Sequence, residues 1–335
     1  MVLVQNLQRS YHLLHYSSSK KIPLIPRYPH KPIASIDSLC LALDLKVEEL
    51  HSLALRSDKL FFLSKTEVKR DGRIRETYDV RKELKTVHHK ISVNFLKRVI
   101  YPDYLHGSLK GKDYLSNTRE HLNKRVIISE DVSNFFPSIS IKTVYEIWIG
   151  VFCFSHEVAE VLSTLVTHNG YLVQGCKASS YLANLALWKR ESELEAALRL
   201  RGMTYTRYVD DITVSCERFI SKKEQAEIIS NVYALLKSIN VKPNRAKHQV
   251  MSSAANQSVH RINLNSGQPT LSKNERAKIK AAVNECETLY ESIGGDSRYL
   301  ALYNRTMGRV LHMSRLHKSK ADLLIERLKR VTPKV

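Results

Sequence analysis

The sequence predicts an α+β protein in which a small sheet is covered on one face by helices. Three observations lead there. Residues 125–252 read in the order strand, helix, helix, hairpin, helix, strand. The strand-like runs of that segment end at carboxylates, Asp131 and the adjacent pair Asp210-Asp211. Beyond about residue 270 the chain turns mostly helical and rich in lysine and arginine.

The elements follow in order. Residues 1–30 are basic and hold Ser17, Ser18, Ser19, Lys20 and Lys21 among scattered prolines, so an extended or partly ordered arm is expected. Residues 35–56 read as two short helices, the first capped by Ser35 or Asp37 and carrying Leu39, Leu41 and Leu43. Residues 60–82 read as a β-hairpin whose tip, Lys69-Arg70-Asp71-Gly72-Arg73, contains the turn dipeptide Asp71-Gly72. Leu84, Val87, Ile91 and Phe95 recur at helical spacing over residues 83–101. Arg125 to Ser129 is a buried-strand pattern leading into Asp131. One helix is expected from about 140 to 166, and another from Ser179 or Ser180, as its cap, to near Gly202. Two β-rich runs, Thr204 to Tyr208 and Ile212 to Cys216, flank Val209-Asp210-Asp211. An amphipathic helix with Ile228, Val232, Leu235 and Ile239 follows, stopped by Pro243, and then a strand near 247–252.

Composition narrows the function classes. There are 53 Lys plus Arg against 33 Asp plus Glu, a formal charge of +20. Self-repulsion of that size is relieved by a polyanion, and nucleic acid comes first. An acidic membrane surface is the weaker reading, because the basic residues do not gather on one amphipathic helix. The longest apolar run, Ile147 to Phe154, is far too short to span a bilayer and reads as a buried helix. No membrane association is expected. The five cysteines form no C-x-x-C pair, so neither a zinc site nor a disulfide framework is indicated, and a reducing cytosol fits.

The carboxylates carry the chemistry. Nucleotidyl transfer with two magnesium ions needs two or three carboxylates on rigid neighbouring strands. Asp131 at a strand end and Asp210-Asp211 at a hairpin tip supply them if the strands are adjacent. An isolated Asp-Asp is more often a polar turn. The surrounding blocks decide between the two. Asp131-Val132-Ser133-Asn134-Phe135-Phe136, then Gln174-Gly175-Cys176-Lys177-Ala178-Ser179-Ser180-Tyr181-Leu182-Ala183-Asn184, then Tyr208-Val209-Asp210-Asp211 occur in that order. Together they resemble the palm motifs of reverse transcriptases.

The resemblance extends to bacterial retron-type enzymes over roughly residues 35–320. Lys69 to Arg75 with Leu84-Lys85 resembles their fingers segment, with Val80 where a proline is usual. Asn117-Thr118-Arg119-Glu120-His121 resembles their N-A-x-x-H element, with Thr118 for alanine. Val259-His260-Arg261 stands where they carry V-T-G. Ser180 replaces a proline and Val209 an alanine.

The resemblance implies a right-hand polymerase fold with a helical N-terminal extension. Its boundaries would be 1–58 for the arm and extension, 59–125 for fingers, 126–265 for palm and 266–335 for a helical thumb. It implies a bacterial cytoplasmic RNA-directed DNA polymerase that copies a cognate structured noncoding RNA, takes dNTPs, and leaves a branched RNA–DNA product. A role in anti-phage defence with an effector protein is also implied. Asp131, Asp210 and Asp211, with the Val132 carbonyl, would hold two Mg²⁺ ions. Lys247 would protonate the leaving pyrophosphate. Phe135 would exclude a 2′-hydroxyl, Gln174 would touch the nucleotide near its ribose, and Arg75 with Lys69 or Arg70 would grip the triphosphate. Asn117, His121 and Val259 would contact RNA, and Arg276 and Arg309 would track the duplex backbone. The alternatives are another bacterial defence-associated reverse transcriptase and a non-catalytic RNA-binding scaffold with a vestigial palm.

Overall fold

A computed structural model describes residues 25–68 and 72–334. The expected arm therefore lies, up to residue 24, outside the described residues, as do Lys69 and Arg70 at the hairpin tip.

Helix α1 (Ile36–Leu43) begins where the Ser35 hydroxyl accepts from the Ser38 N–H, and it ends at Asp44 with φ 49°. Helix α2 (Val47–Leu60) follows. Strands β1 (Phe61–Val68) and β2 (Ile74–Val80) pair as an antiparallel ribbon whose register shifts between Leu63 and Lys65. Helix α3 (Lys82–Asn94) buries Leu84, Val87, His88 and Ile91. Helix α4 (Tyr114–Arg119) is capped by Asp113, which accepts from the Leu115 and Ser116 N–H groups.

Strand β3 (Val126–Ser133) runs two residues past Asp131, where it was expected to end. After the short α5 (Phe135–Ser138), the single helix expected over 140–166 is two, α6 (Ile141–Gly150) and α7 (His156–Val166). The apolar run read as helix thus spans a break. Phe152 and Phe154 leave the helical path to pack on Trp148, with ring centroids at 4.7 and 6.0 Å, and Cys153 takes φ 55°. Ser155 then caps α7. Burial of two aromatic rings and a fresh cap outweigh one continuous helix.

The helix expected from 179 to 202 is likewise divided into α8 (Ser179–Leu185) and α9 (Glu191–Leu200). Neither serine caps it: Ala178 holds the cap position without a side-chain bond, and the Ser179 hydroxyl is buried inside the first turn. The break brings Glu191 into the interior, where it meets Arg207. Strands β4 (Met203–Tyr208) and β5 (Asp211–Cys216) form the expected hairpin. Helix α10 (Lys222–Lys237) ends before Pro243, its chain reversing at Asn240 with φ 59°. Short strands β6 (Lys242–Pro243), β7 (Gln249–Ser252), β8 (Ser258–Val259) and β9 (Ile262–Asn263) follow. The C-terminal part is helical, with α11 (Lys273–Ile293), α12 (Ser297–Ser314) and α13 (Lys318–Arg330).

The main sheet has the order β4-β5-β3-β6, with β7 also paired to β3, and every pairing is antiparallel. Its largest apolar core gathers side chains from α1 through Val241. A second core joins α11, α12 and α13 to Leu115 and Ile262. A third, small one holds Ile127, Met251, Val259 and Leu264 under the sheet edge. Among the described residues no helix is long and apolar enough to cross a membrane.

Candidate active site

The central strand β3 places Asp131 directly across from Asp211 at the start of β5. The Val132 N–H donates to the Asp210 carbonyl at 3.0 Å, which ties the hairpin tip to β3. Between Tyr208 and Asp211, which face each other in register, the loop has two residues, Val209 and Asp210. Val209 takes φ 58°, a position where such loops favour glycine. Holding a β-branched residue there costs about 1–2 kcal/mol, so its surroundings must enforce it. One enforcing wall is Gly107: a Cβ at that position would lie 2.3 Å from Val209 Cγ2 and 2.6 Å from its backbone nitrogen.

The three carboxylates sit in unlike surroundings. Both oxygens of Asp131 are engaged, Oδ1 by Lys247 Nζ at 2.7 Å and Oδ2 by Asn244 Nδ2 at 2.8 Å. The Asn244 N–H also donates to the Asp131 carbonyl at 2.7 Å. Burial above all, and then the charges of Asp211 and Asp131, push the Asp210 carboxyl up to about 6. Asp211 is more open, with His260 Nδ1 at 3.5 Å from its Oδ2. The His260 ring also lies against Tyr208, centroids 4.7 Å apart.

The donor set suits a hard divalent cation: three carboxylates, two of them adjacent, with mutual repulsion that a cation would relieve. Among the described residues no three His, Cys, Asp or Glu side chains are already gathered as a cage. Asp131 is turned to Lys247 and Asn244, whose donors occupy its oxygens.

The other residues singled out from the sequence are dispersed around this centre. Phe135 is buried one turn after β3, edge to face with Phe136 and 6.0 Å from the Arg207 guanidinium. The Gln174 carbonyl accepts from the Tyr78 N–H at 2.8 Å, and Gly175 has φ 106° with no room for a Cβ, which would meet the Tyr78 carbonyl at 2.2 Å. The 174–185 block is therefore pinned to β2. Arg75 is exposed on β2, opposite Glu67. A residue not singled out, Arg73, comes nearer the centre: its Nη1 donates to Ser133 Oγ at 3.4 Å. Arg276 and Arg309 are half-buried on α11 and α12, and Arg309 pairs with Glu275 at 3.3 Å.

The three residues expected to contact RNA lie in the interior. Asn117, His121 and Val259 are all buried. Asn117 Nδ2 donates to Thr206 Oγ1 at 2.8 Å, and its Oδ1 meets His260 Nε2 at 3.0 Å. His121 lies between the hydroxyls of Thr206 and Ser215, each at 2.7 Å. Burial, with smaller effects of Lys124 and neighbouring histidines, drives the His121 pKa down to about 3, so it is neutral. Val259 fills the small core with Ile127 and Met251. The N-x-x-x-H element is thus a polar brace behind the β4–β5 hairpin. A single histidine in such a segment looks the same in sequence whether it braces or binds.

Sequence reasoning also missed Arg207, Glu191, Asn244 and His260. Arg207 left a trace as a lone charge inside a β-forming run, and His260 as part of the departure from V-T-G. The partners of Glu191, Asn244 and His260 are set by tertiary contacts far away in sequence.

Comparison with known proteins bears on this centre. A profile of the family "Reverse transcriptase (RNA-dependent DNA polymerase)" matches residues 68–282. The Retron Se72 reverse transcriptase of Salmonella heidelberg (strain 579083-10) is 32% identical over 311 residues, covering 92% of this chain and 82% of the relative. The Retron Ec48 reverse transcriptase of Escherichia coli is 27% identical over 317 residues, covering 90% and 77%. Among solved structures, apo telomerase from Candida tropicalis, truncated from its C-terminal domain, aligns at 13% identity and a TM-score of 0.36, covering 44% of this chain and 35% of that one.

Proposed function

This chain belongs to the reverse transcriptase family, as an RNA-directed DNA polymerase of the retron type, and on that premise we propose that it copies a cognate structured noncoding RNA into DNA. The observation that carries the reading is that Asp131 and Asp211 face each other in register on paired strands, with Asp210 in the turn beside them.

The layout proposed is a right hand. Residues 1–58 are an arm and helical extension, 59–125 fingers, 126–265 palm and 266–335 thumb. The separate apolar core of the C-terminal helices supports the last boundary. Two Mg²⁺ ions, when bound, supply charge neutralisation of the triphosphate and acidification of the primer hydroxyl. Asp131, Asp210 and Asp211 would hold them with the Val132 carbonyl. Lys247, whose Nζ lies 2.7 Å from Asp131 Oδ1, would be the group that protonates the leaving pyrophosphate. Phe135 makes a wall that a 2′-hydroxyl cannot pass without losing its solvation, which favours dNTPs over rNTPs. Gln174 orients the ribose; Arg75, with Lys69 or Arg70, grips the triphosphate. Arg276 and Arg309 follow the duplex backbone, which the charge of +20 supports. In the cell the enzyme acts in the bacterial cytoplasm, leaves a branched RNA–DNA product, and serves anti-phage defence with an effector protein.

The test is to purify the chain with the RNA transcribed from its own locus and sequence the bound nucleic acid. A covalently branched RNA–DNA species is expected. RNA carrying no linked DNA would count against the retron reading. Incorporation of rNTPs in preference to dNTPs on a primed RNA would count against reverse transcription.

A further inference from the structure

Arg207 lies on β4, three residues before Asp210, and its side chain is wholly buried. A guanidinium without water is tolerated only when its donors are paired. Nε donates to Glu191 Oε1 at 2.5 Å and Nη2 to Glu191 Oε2 at 2.7 Å, a two-pronged fork. The Tyr205 hydroxyl donates to the same Glu191 Oε1 at 2.8 Å and helps fix the carboxylate. The remaining donors reach backbone carbonyls. Nη2 meets Asn184 at 2.7 Å; Nη1 meets Val209 at 3.0 Å and Ala183 at 3.4 Å.

The bond to Val209 matters most. Its carbonyl belongs to the peptide plane that leads directly into Asp210. Val209 is held at φ 58°, a conformation a β-branched residue keeps only under constraint, so the turn needs an external tie. The bonds to Asn184 and Ala183 anchor the same guanidinium to the 174–185 block. Asn184 reaches onward, its Nδ2 donating to the Gly107 carbonyl at 2.6 Å, and Gly107 is the wall under Val209. One buried cation thus joins α8, the start of α9 and the carboxylate-bearing turn.

We infer that Arg207, locked by Glu191, is a positioning residue that orients the Val209–Asp210 peptide and so aims the Asp210 carboxylate. The inference rests on the reading that Asp210 serves metal-dependent DNA synthesis. A lysine cannot replace Arg207, because one ammonium cannot fork onto Glu191 while reaching the Val209 and Asn184 carbonyls.

The test uses the full chain extending oligo(dT) on poly(rA) with dTTP, recording kcat, KM for dTTP, the Mg²⁺ concentration for half-maximal rate, and Tm. Replacing both partners by apolar residues, Arg207→Met with Glu191→Leu, leaves no unpaired buried charge and is expected to fold. The expected result is a Tm near wild type, a kcat lower by about 100-fold, a KM for dTTP within about threefold, and a raised Mg²⁺ requirement. A folded double variant with wild-type kcat and Mg²⁺ requirement overturns the inference. If it does not fold, Arg207→Lys and Glu191→Gln are read instead, with a kcat loss of about 10-fold or more expected at unchanged KM. Either of them at wild-type rate overturns it, as does failure of all three to fold, which would assign the pair to stability alone. Wild type and Asp210→Asn separate the two levels. If Asp210→Asn is as active as wild type, or wild type is inactive, the polymerase reading fails and the inference with it. If only the pair variants behave as wild type, the inference alone fails.

Discussion

Asp210 is held under opposing demands. The proposed metal-holding role needs it ionised, yet burial and two neighbouring carboxylates push its pKa up to about 6. The unfolded value is near 4, so between the two values the folded chain binds more protons than the unfolded one. This group's stability is present at low pH and is lost as pH rises through about 6. Without divalent cation, Asp210→Asn should remove that loss and stabilise the chain at pH 8 by up to the order of 3 kcal/mol. The same change should lower DNA synthesis by about 100-fold or more. Thermal melts in chelator and primer extension check the two halves. A variant that is both less active and less stable would contradict this account.

Two elements brace the turn that carries Asp210. The first is the buried pair Asn117 and His121. Burial, first of all, lowers the His121 pKa to about 3 and the His106 pKa to about 4, while both would titrate near 6.5 when unfolded. The unfolded chain therefore binds more protons in that window. Stability is full above about 6.5 and falls as pH drops through 4 and toward 3. Melts between pH 7.5 and 4.5 should show this decline, and His121→Gln should flatten its slope. An unchanged slope would assign the acid sensitivity elsewhere. The second brace is the β8–β9 turn, where His260 and Arg261 both take positive φ, 51° and 64°. Such a tight turn favours Asn-Gly, and neither residue is suited to it. Arg261→Gly should raise stability by about 1 kcal/mol, read by denaturant unfolding. A destabilised variant would show that the arginine side chain contributes more than its backbone strain costs.

At the scale of the molecule, charge and core division act together. The C-terminal helices form their own apolar core while carrying Lys278, Lys280 and Arg305 on exposed positions. A chain of charge +20 that binds an RNA–DNA duplex should lose affinity steeply with added salt. Replacing Arg309 by alanine should reduce the slope of log affinity against log salt by about one, with little change in sequence preference. Filter binding or fluorescence anisotropy across a salt series checks it. A slope equal to wild type would leave Arg309 to its Glu275 pair alone.

How much was legible follows physical lines. Short-range pattern was: alternating β-formers around Asp210-Asp211, the Asp71-Gly72 turn signal, helical spacing in α3 and α10, and the order of the three motif blocks. The helix breaks at 151–155 and 186–190 were not, because they arise from rings and charges seeking distant partners, Phe152 and Phe154 on Trp148 and Glu191 on Arg207. By itself, then, the sequence determined the α+β class, the three carboxylates and the reverse transcriptase family. Those rest on local periodicity and on motifs read along the chain. Only the tertiary structure decided that Asn117 and His121 are braces, that Arg207 clamps the Val209 turn, and that Lys247 and Asn244 hold Asp131. Apart from the short reach of Arg207 to Val209, those contacts join residues far apart in the chain, so burial and partner exist only once the sheet has brought them together.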